Sequence, residues 1–493
     1  MKKIFNIRVI LLFLALTMQI SCSKYLELIP PNGLIREEFW KTKEDVDAVL
    51  MGAYQSFASM DGLLFTYGEA RGDMVKADPS FQWGNEYKLM QSNIFPDNGL
   101  CSWERFYKVI NYCNEVIQNA PEVKNIDDTF TDFQLKGYMA EAYYLRSLSY
   151  FYLVRIFKDV PLILTPSEND GANFYPPQTK GEDVLAAMMK DLDACRPFAT
   201  DGYKTLQEIK GRATKASIDA LQADISLWNF DYEGCIRYAD KILPPLNKLF
   251  ALLPSDRLFE IYYPGNSLEG IFEFQFDNKY NQLNSTYGMT SRYAYQYLPS
   301  QRAVELLSFK LGVEKKRGEN VSIAMVSVDN YVIWKYAGMV PDGKTERSGI
   351  FTNSCNWIVY RLADIYLMKA EALSQLSRFD EAGIILNQIR DRAEVAPLSV
   401  GKSVTAYEDA ILDERAIELS FEGKRWFDLL RMGRRNNYSR KTKLVEILIT
   451  NVISTQKRIL SAKLTNPLGW YLPVAKDELE RNLNLVQNPY YNY

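Results

Sequence analysis

Apolar residues recur at helical spacing along most of this chain, and the places where that period breaks divide it. The period is clearest between Asn356 and Gly433. Leu362, Ile365, Tyr366, Leu373 and Leu376 line one stripe, as in a helix that buries a single face. A second helical segment follows over residues 380–395, and small residues Ala363, Ala370 and Ala382 stand where two helices must approach closely. Ser377-Arg378-Phe379-Asp380 has the S-x-x-D spacing of a helix start and places a turn between the pair. Ala370, Phe379 and Ala382 also fit the small–aromatic–small spacing of a tetratricopeptide unit, whose period is about 34 residues. A third segment, AILDERAIELSFEGKRWFDLLRMGRR, alternates its charges in sign at Glu414, Arg415, Glu418, Glu422, Arg425, Asp428 and Arg431. These are helical neighbour spacings. Such helices cannot bury their apolar faces alone, so others must stack on them.

The same period predicts a helix over residues 37–60, with Thr42 as its cap and Val46, Val49, Leu50, Ala53 and Phe57 on one face. Further helices are predicted over 101–120, over 133–157 up to the stop at Pro161, and over 181–198. Residues 211–243 repeat the helix–turn–helix pattern, with Ala223, Tyr232 and Cys235 in the places of Ala370, Phe379 and Ala382. The expected fold is mostly α: a tetratricopeptide-like helical repeat scaffold with a long irregular insertion containing a few short strands. The repeats occupy about 103–243 and 356–433 within one domain spanning 37–493.

Two stretches lack the helical period. Residues 61–100 are rich in Gly, Asp, Asn, Pro and aromatics, with Phe81, Trp83 and Tyr87 set among polar neighbours. A loop that long inside a compact domain is usually functional. Residues 244–355 contain two strand-like runs, GIFEFQFDN and YVIWKYAG, separated by a polar region holding Tyr280, Tyr287, Tyr293, Tyr295 and Tyr297. The tail from Gly469 reads as an extended piece, a turn or two of helix and a proline-marked end.

Composition narrows the chemistry. Net charge is −3 with no basic stripe, which argues against nucleic acid as a partner. There is no histidine, so His-based triads, His general bases and His-ligated metals are excluded. Carboxylate-pair chemistry stays open. Residues 1–21 start with basic residues, continue with an apolar run from Val9 to Met18 and end at Ser21 before Cys22. That run is too short to span a bilayer, which takes about 20 residues, and it reads as a secretory signal. A cysteine directly after it points to a bacterial lipoprotein signal, with Cys22 as the lipidated mature N-terminus and 22–36 as an extended tether. Gln19 and Ile20 depart from the usual residues before such a cysteine. The remaining cysteines, Cys101, Cys113, Cys195, Cys235 and Cys355, are odd in number. Cys101 and Cys113 would sit about 18 Å apart on a continuous helix, beyond disulfide reach. No disulfide framework, metal site or cofactor is expected.

Taken in order, these pieces resemble the SusD/RagB family of nutrient-binding lipoproteins. The residues that carry the resemblance are Cys22 to Glu27, WERFYKVINYCN from Trp103, AEAYYLRSLSYFYLVRIFKDVPL from Ala140 and Gly211 to Lys215. They continue with YRLADIYLMKAEA from Tyr360, ERAIELSFEGKRWFDLLR from Glu414, Tyr471-Leu472-Pro473 and Gln487-Asn488-Pro489. Phe157-Lys158 stands where an aromatic–glycine pair is usual in the family. The resemblance implies a lipid-anchored protein at the outer membrane, facing the cell exterior. Such a protein binds an oligosaccharide, or in some relatives a peptide, without cleaving it. It passes the ligand to a SusC-like TonB-dependent transporter.

For the binding residues, sugar rings offer an apolar C–H face and a fringe of hydroxyls, matched by aromatic planes with amide or charged neighbours. Phe81, Trp83, Asn85 and Tyr87 form one set, and Tyr287, Arg292, Tyr293 and Tyr295 a second, with Trp334 as a third wall. The charges from Glu414 to Arg431 read instead as a structural network, and the tyrosines of 143–152 as core. Two other functions fit a secreted helical repeat protein. One is a protein-assembly or peptide-binding scaffold. The other is a glycosidase with two carboxylates about 5–9.5 Å apart, for which Asp73, Asp78 and Glu86 lie nearest the aromatic loop.

Overall fold

The computed structural model describes residues 39–167, 174–291, 296–308, 316–450, 452 and 454–492. The signal segment, Cys22 and the tether lie outside them. Helix α1 (Lys43–Ala58) starts where expected, with Thr42 and Asp45 forming a capping box and Val46, Leu50, Ala53 and Phe57 buried on one face. Residues 61–100, expected as irregular, contain α2 (Asp61–Glu69), the short strand β1 (Val75–Ala77) and α3 (Asn85–Met90). The period does not reveal α2 because nearly every one of its residues is buried, and a helix buried all round has no polar face to alternate with.

Next come the long helices α4 (Glu104–Ile126) and α5 (Asp132–Phe157), the pair β2 (Val160–Pro161) and β3 (Gln178–Thr179), and α6 (Gly181–Cys195). After α7 (Leu206–Gly211), α8 (Lys215–Trp228) and α9 (Tyr232–Ile242) form a hairpin. The insertion holds β4 (Gly270–Phe274), α10 (Thr286–Thr290), β5 (Tyr297–Pro299), α11 (Gln301–Leu307), β6 (Ile323–Ser327) and β7 (Asn330–Ile333). Strand β8 (Trp357–Arg361) leads straight into α12 (Leu362–Gln375), which pairs with α13 (Phe379–Arg392). Helices α14 (Val404–Glu418), α15 (Arg425–Tyr438), α16 (Lys441–Ile449), α17 (Ser454–Leu464) and α18 (Lys476–Arg481) complete the chain.

The helices stack side by side: α1 on α4, α4 on α5, α5 on α6, then α8 on α9, α9 on α12, and α12 on both α13 and α14. The fold is mostly helical and tetratricopeptide-like. The two hairpins read from the sequence as repeats share one turn. Phe230 in the first and Ser377 in the second are left-handed, at φ 64° and 61°. The next residue donates back five positions, Asp231 to the Ser226 carbonyl at 2.8 Å and Arg378 to the Leu373 carbonyl at 2.9 Å. Ser377 therefore makes the turn but does not cap α13, which has no side-chain cap. Asp231 does cap α9, through the Gly234 N–H.

The strands make two-stranded antiparallel ribbons, β1 with β5, β2 with β3, β4 with β8 and β6 with β7. A large core runs through the helices, and a smaller one lies under the insertion around Phe259, Tyr262, Val332, Trp334 and Ile358. Cys101, Cys113, Cys195, Cys235 and Cys355 are free and buried.

The alternating charges of the C-terminal helices are buried and tied together. Arg361 bonds Glu269 at 2.6 Å, Glu418 at 2.7 Å and Glu422 at 2.8 Å. Glu422 also holds Lys335, and Glu418 holds Arg317 and Arg392. Glu414 pairs with Arg317 and Arg390, Arg425 with Asp73, and Arg415 with Asp364 and Asp428. Arg431 closes the series on Glu371 and Asp428. Burial alone would raise the Asp364 carboxyl, but Lys424 and Arg415 outweigh it and hold the group well below the usual carboxylate range.

Candidate functional site

The two stretches without helical period meet at one ribbon. Val75 of β1 lies opposite Pro299 of β5, and Ala77 opposite Tyr297. The next residue, Asp78, donates its N–H to the Gln296 carbonyl at 2.9 Å. Beyond this anchor the chain makes a single 3-10 turn, Pro79–Phe81, capped by Asp78, whose carboxylate accepts the Ser80 N–H at 2.8 Å and the Ser80 hydroxyl. Trp83 then folds back, its indole N–H donating to the Ser80 carbonyl at 2.7 Å.

The indole is pinned yet 74% exposed. Trp83 is the only exposed tryptophan among the described residues. The Phe81 ring lies nearly parallel to it, 11° between planes and 6.4 Å between centroids. Asn85 is exposed at the start of α3, and Gly84 precedes it. Tyr87 is half-buried and faces a hollow of about 350 Å³ that also takes in Gln82. Leu448 of α16 and Leu460 of α17 line the same hollow. Phe81 and Trp83 thus sit on the turn and loop before α3, while Asn85 and Tyr87 lie on α3 itself.

The second expected set is only partly described. Arg292, Tyr293 and Tyr295 lie outside the described residues. Tyr287 is half-buried on α10 and packs against the large core. Helix α10 is held by Asp61 of α2, whose carboxylate accepts the Ser285 N–H at 2.9 Å, the Ser285 hydroxyl at 2.7 Å and the Thr286 N–H at 2.8 Å. Asn284 is buried and bonded to Asn353 through both backbones and the Asn353 side chain.

Trp334 corrects the sequence reading. It was expected as a third wall, but it is 1% exposed in the smaller core, with its indole N–H on the Val340 carbonyl at 3.0 Å. A tryptophan in a strand-like run at the edge of an irregular region looks the same in sequence whether its face is inward or outward.

Two of the acids near the loop are engaged. Asp73 is fully buried and chelated by Arg425 at 2.6 and 3.0 Å, and Asp78 caps its turn. What the site offers is flat carbon surface with amides beside it. Two supporting residues went unread. Asp78-Pro79-Ser80 is an Asp-Pro turn signal visible in the sequence. Asp61 has partners more than 200 residues away and leaves no local sign.

A model described as the SusD family matches residues 322–491, and one described as starch-binding associating with outer membrane matches residues 24–227. A SusD-like protein of Formosa agariphila is 26% identical over 538 aligned positions, covering 98% of this chain and 100% of its own. A SusD-like protein of Bacteroides ovatus is 24% identical, covering 83% of this chain and 79% of its own. A SusD superfamily structure from Bacteroides vulgatus matches with a TM-score of 0.74 at 19% identity, over 92% of this chain and 100% of that one. A structure described as a laminarin binding SusD-like protein matches with a TM-score of 0.70 at 22% identity, over 92% and 100% of the two chains. The family models cover both halves of the sequence, relatives align along nearly its whole length, and the fold is shared over more than nine-tenths of it: the chain belongs to the SusD family.

Proposed function

We propose that this protein is a surface glycan-binding lipoprotein that captures oligosaccharides on the Phe81–Trp83 ledge and delivers them to a TonB-dependent outer-membrane transporter. The observation that carries the reading is Trp83, a tryptophan held rigid and left bare. Exposing a large ring to water is unfavourable by about 25 cal/mol per Å² relative to covering it, so a pinned, uncovered indole suits an apolar ligand face. Sugar C–H groups lie on the rings while Asn85 and Gln82 hydrogen-bond the hydroxyl fringe. Lipidation at Cys22 and a tether over 22–36 place the protein on the outer membrane, facing outward. Anchoring beside the transporter raises effective concentration, so modest affinity suffices and release stays fast.

Binding without turnover is supported by the commitment of Asp73 to Arg425 and of Asp78 to its turn, which leaves neither for acid–base work. The relatives' printed descriptions, starch-binding for one family model and laminarin binding for one structure, support a glucan as ligand. The test is a glycan array probed with the soluble chain starting after Cys22, with Trp83→Ala alongside. Specific binding to one sugar class, weakened about tenfold or more in the variant and without product release, is the expected result. Product release, or binding unaffected by Trp83→Ala, refutes it.

A further inference from the structure

A larger hollow, about 590 Å³, opens between the end of α1, helix α7 and the turn that follows β4. It shares no lining residue with the hollow beside Tyr87 and includes neither Phe81 nor Trp83. Its volume falls within the range of small-molecule sites, roughly 300–1,000 Å³. Nothing in the ledge reading requires it.

We propose that this hollow is a second binding site, for a short uncharged saccharide. Three properties point there. First, its inner surface is aromatic: Tyr54, Phe274 and Phe276 are buried at it, giving ring carbon for the C–H face of a sugar. Second, its rim is made of amides from three distant segments. Gln55 on α1, Gln207 on α7 and Gln282 after β4 are all exposed. None of the three side chains has a hydrogen-bond partner among the described residues. A primary amide donates and accepts at once, as a pair of vicinal hydroxyls does. An apolar ligand would leave all of those groups unmatched, and a purely anionic one would leave the amide oxygens unmatched.

Third, the charged side chains at the hollow already have hydrogen-bonding partners. Arg212 makes two bonds to Glu141, at 2.9 and 2.8 Å, and one to Asp47 at 3.1 Å. Glu208 accepts the Thr205 N–H at 3.0 Å and hydroxyl at 2.9 Å. A charged ligand would have to compete with these partners, whereas a neutral one does not. The wall is also preorganised, which lowers the entropic cost of binding. Gln275 is fixed by Asn266 at 2.9 Å and Asn356 at 3.2 Å. The turn carrying Gln282 is closed by two backbone bonds with Asp277, each 3.0 Å, through left-handed Asn281.

The experiment uses the soluble mature chain with maltohexaose and laminarihexaose as probes, followed by ligand-observed saturation-transfer NMR. Gln55→Trp fills the hollow from an exposed helix position, and Trp83→Ala removes the ledge. With Trp83→Ala, binding of at least one probe is expected to persist. Adding Gln55→Trp should then abolish it, and Gln207→Ala with Gln282→Ala in place of Gln55→Trp should weaken it about tenfold. A crystal of Trp83→Ala soaked in the bound probe should show sugar against Phe274 and Phe276. The proposal is overturned if Trp83→Ala removes all binding, if Gln55→Trp leaves the residual binding unchanged, or if neither probe binds the intact chain. Loss of all binding in Gln55→Trp alone, with Trp83→Ala silent, supports the hollow and refutes the ledge instead. Unchanged thermal melting of Gln55→Trp separates blockage from misfolding.

Discussion

The C-terminal charge seam and the Trp83 ledge are built from the same kinds of residue used in opposite senses. At the seam, Arg361, Glu418 and Glu422 are buried and each is bound by two or more counter-ions. Their bonding capacity is consumed inside the protein, and nothing faces a ligand. At the ledge, polar groups are also consumed, Asp78 on Ser80 and Ser80 on Trp83, but to hold an aromatic ring out in solvent. Charge density therefore marks scaffold in this molecule, and on the proposed reading the exposed ring of the ledge marks the place for a partner. Perturbing each region should affect different observables.

The largest effect belongs to the seam. Arg361→Met strands Glu269, Glu418 and Glu422 with fewer cations, and removing one partner of a buried ion cluster costs about 3–5 kcal/mol. Urea denaturation of the mature chain should show that loss, while sugar affinity of the folded fraction stays the same. A change below about 1 kcal/mol would mean that the seam is dispensable and that the contrast fails. Next in size is Asp61→Ala, which deprives α10 of the carboxylate that holds Ser285 and Thr286. Losing hydrogen bonds to a buried charged group should cost about 1.5–3 kcal/mol. Here stability and binding should fall together if Tyr287 belongs to the site. Full affinity in a destabilised Asp61→Ala would remove α10 from it.

A third effect is a pH slope from the joint between α2 and the turn before α15. Glu69 is fully buried, and burial pushes its carboxyl up to about 8 although its Oε1 accepts the Gly423 and Lys424 N–H groups. Its other oxygen is buried with no hydrogen-bond partner among the described residues. Between the unfolded carboxylate value and about 8 the native state binds the extra proton, so stability falls as pH rises through that window. One proton corresponds to at most about 1.4 kcal/mol per pH unit. Denaturation midpoints taken from pH 5 to 8 should decline less in Glu69→Gln than in the parent chain. An identical slope in both would assign the dependence to another group.

How much of this was legible in the sequence follows from the same contrast. The amphipathic helices announced themselves, because α1, α9 and α13 bury one face and leave the other wet. The charge seam was legible as a structural network but not in its partners. Helical neighbour spacing predicts pairs within Glu414 to Arg431, whereas most of the observed partners, such as Arg361, Asp73 and Glu371, come from other elements. Helix α2 was not, because it is buried all round and so loses its period. Gly68 marks how closely it is held: a Cβ there would lie 2.0 Å from the Gly423 carbonyl oxygen. The ledge was legible as composition, a tryptophan among polar residues in a segment without period. The inward turn of Trp334 was not, since it depends on the packing of β7 and the segment after it against Phe259 and Tyr262. The hollow between α1 and α7 was invisible for a different reason: Gln55, Gln207 and Gln282 are ordinary surface amides until the fold gathers them.

The smallest expected stability change completes the comparison. Trp83→Ala removes a ring that is three-quarters exposed and contributes one hydrogen bond, to the Ser80 carbonyl. Surface substitutions of this kind usually stay within about 0.5 kcal/mol, so the denaturation midpoint should barely move. Affinity for the captured glycan should nonetheless fall about tenfold or more, equivalent to about 1.4 kcal/mol, because an indole face contributes most when a ligand covers it. Calorimetric titration and urea denaturation of the same sample read the two quantities separately. A large stability loss with unchanged affinity would show that Trp83 packs the loop rather than serving a ligand. The ledge would then join the seam as scaffold.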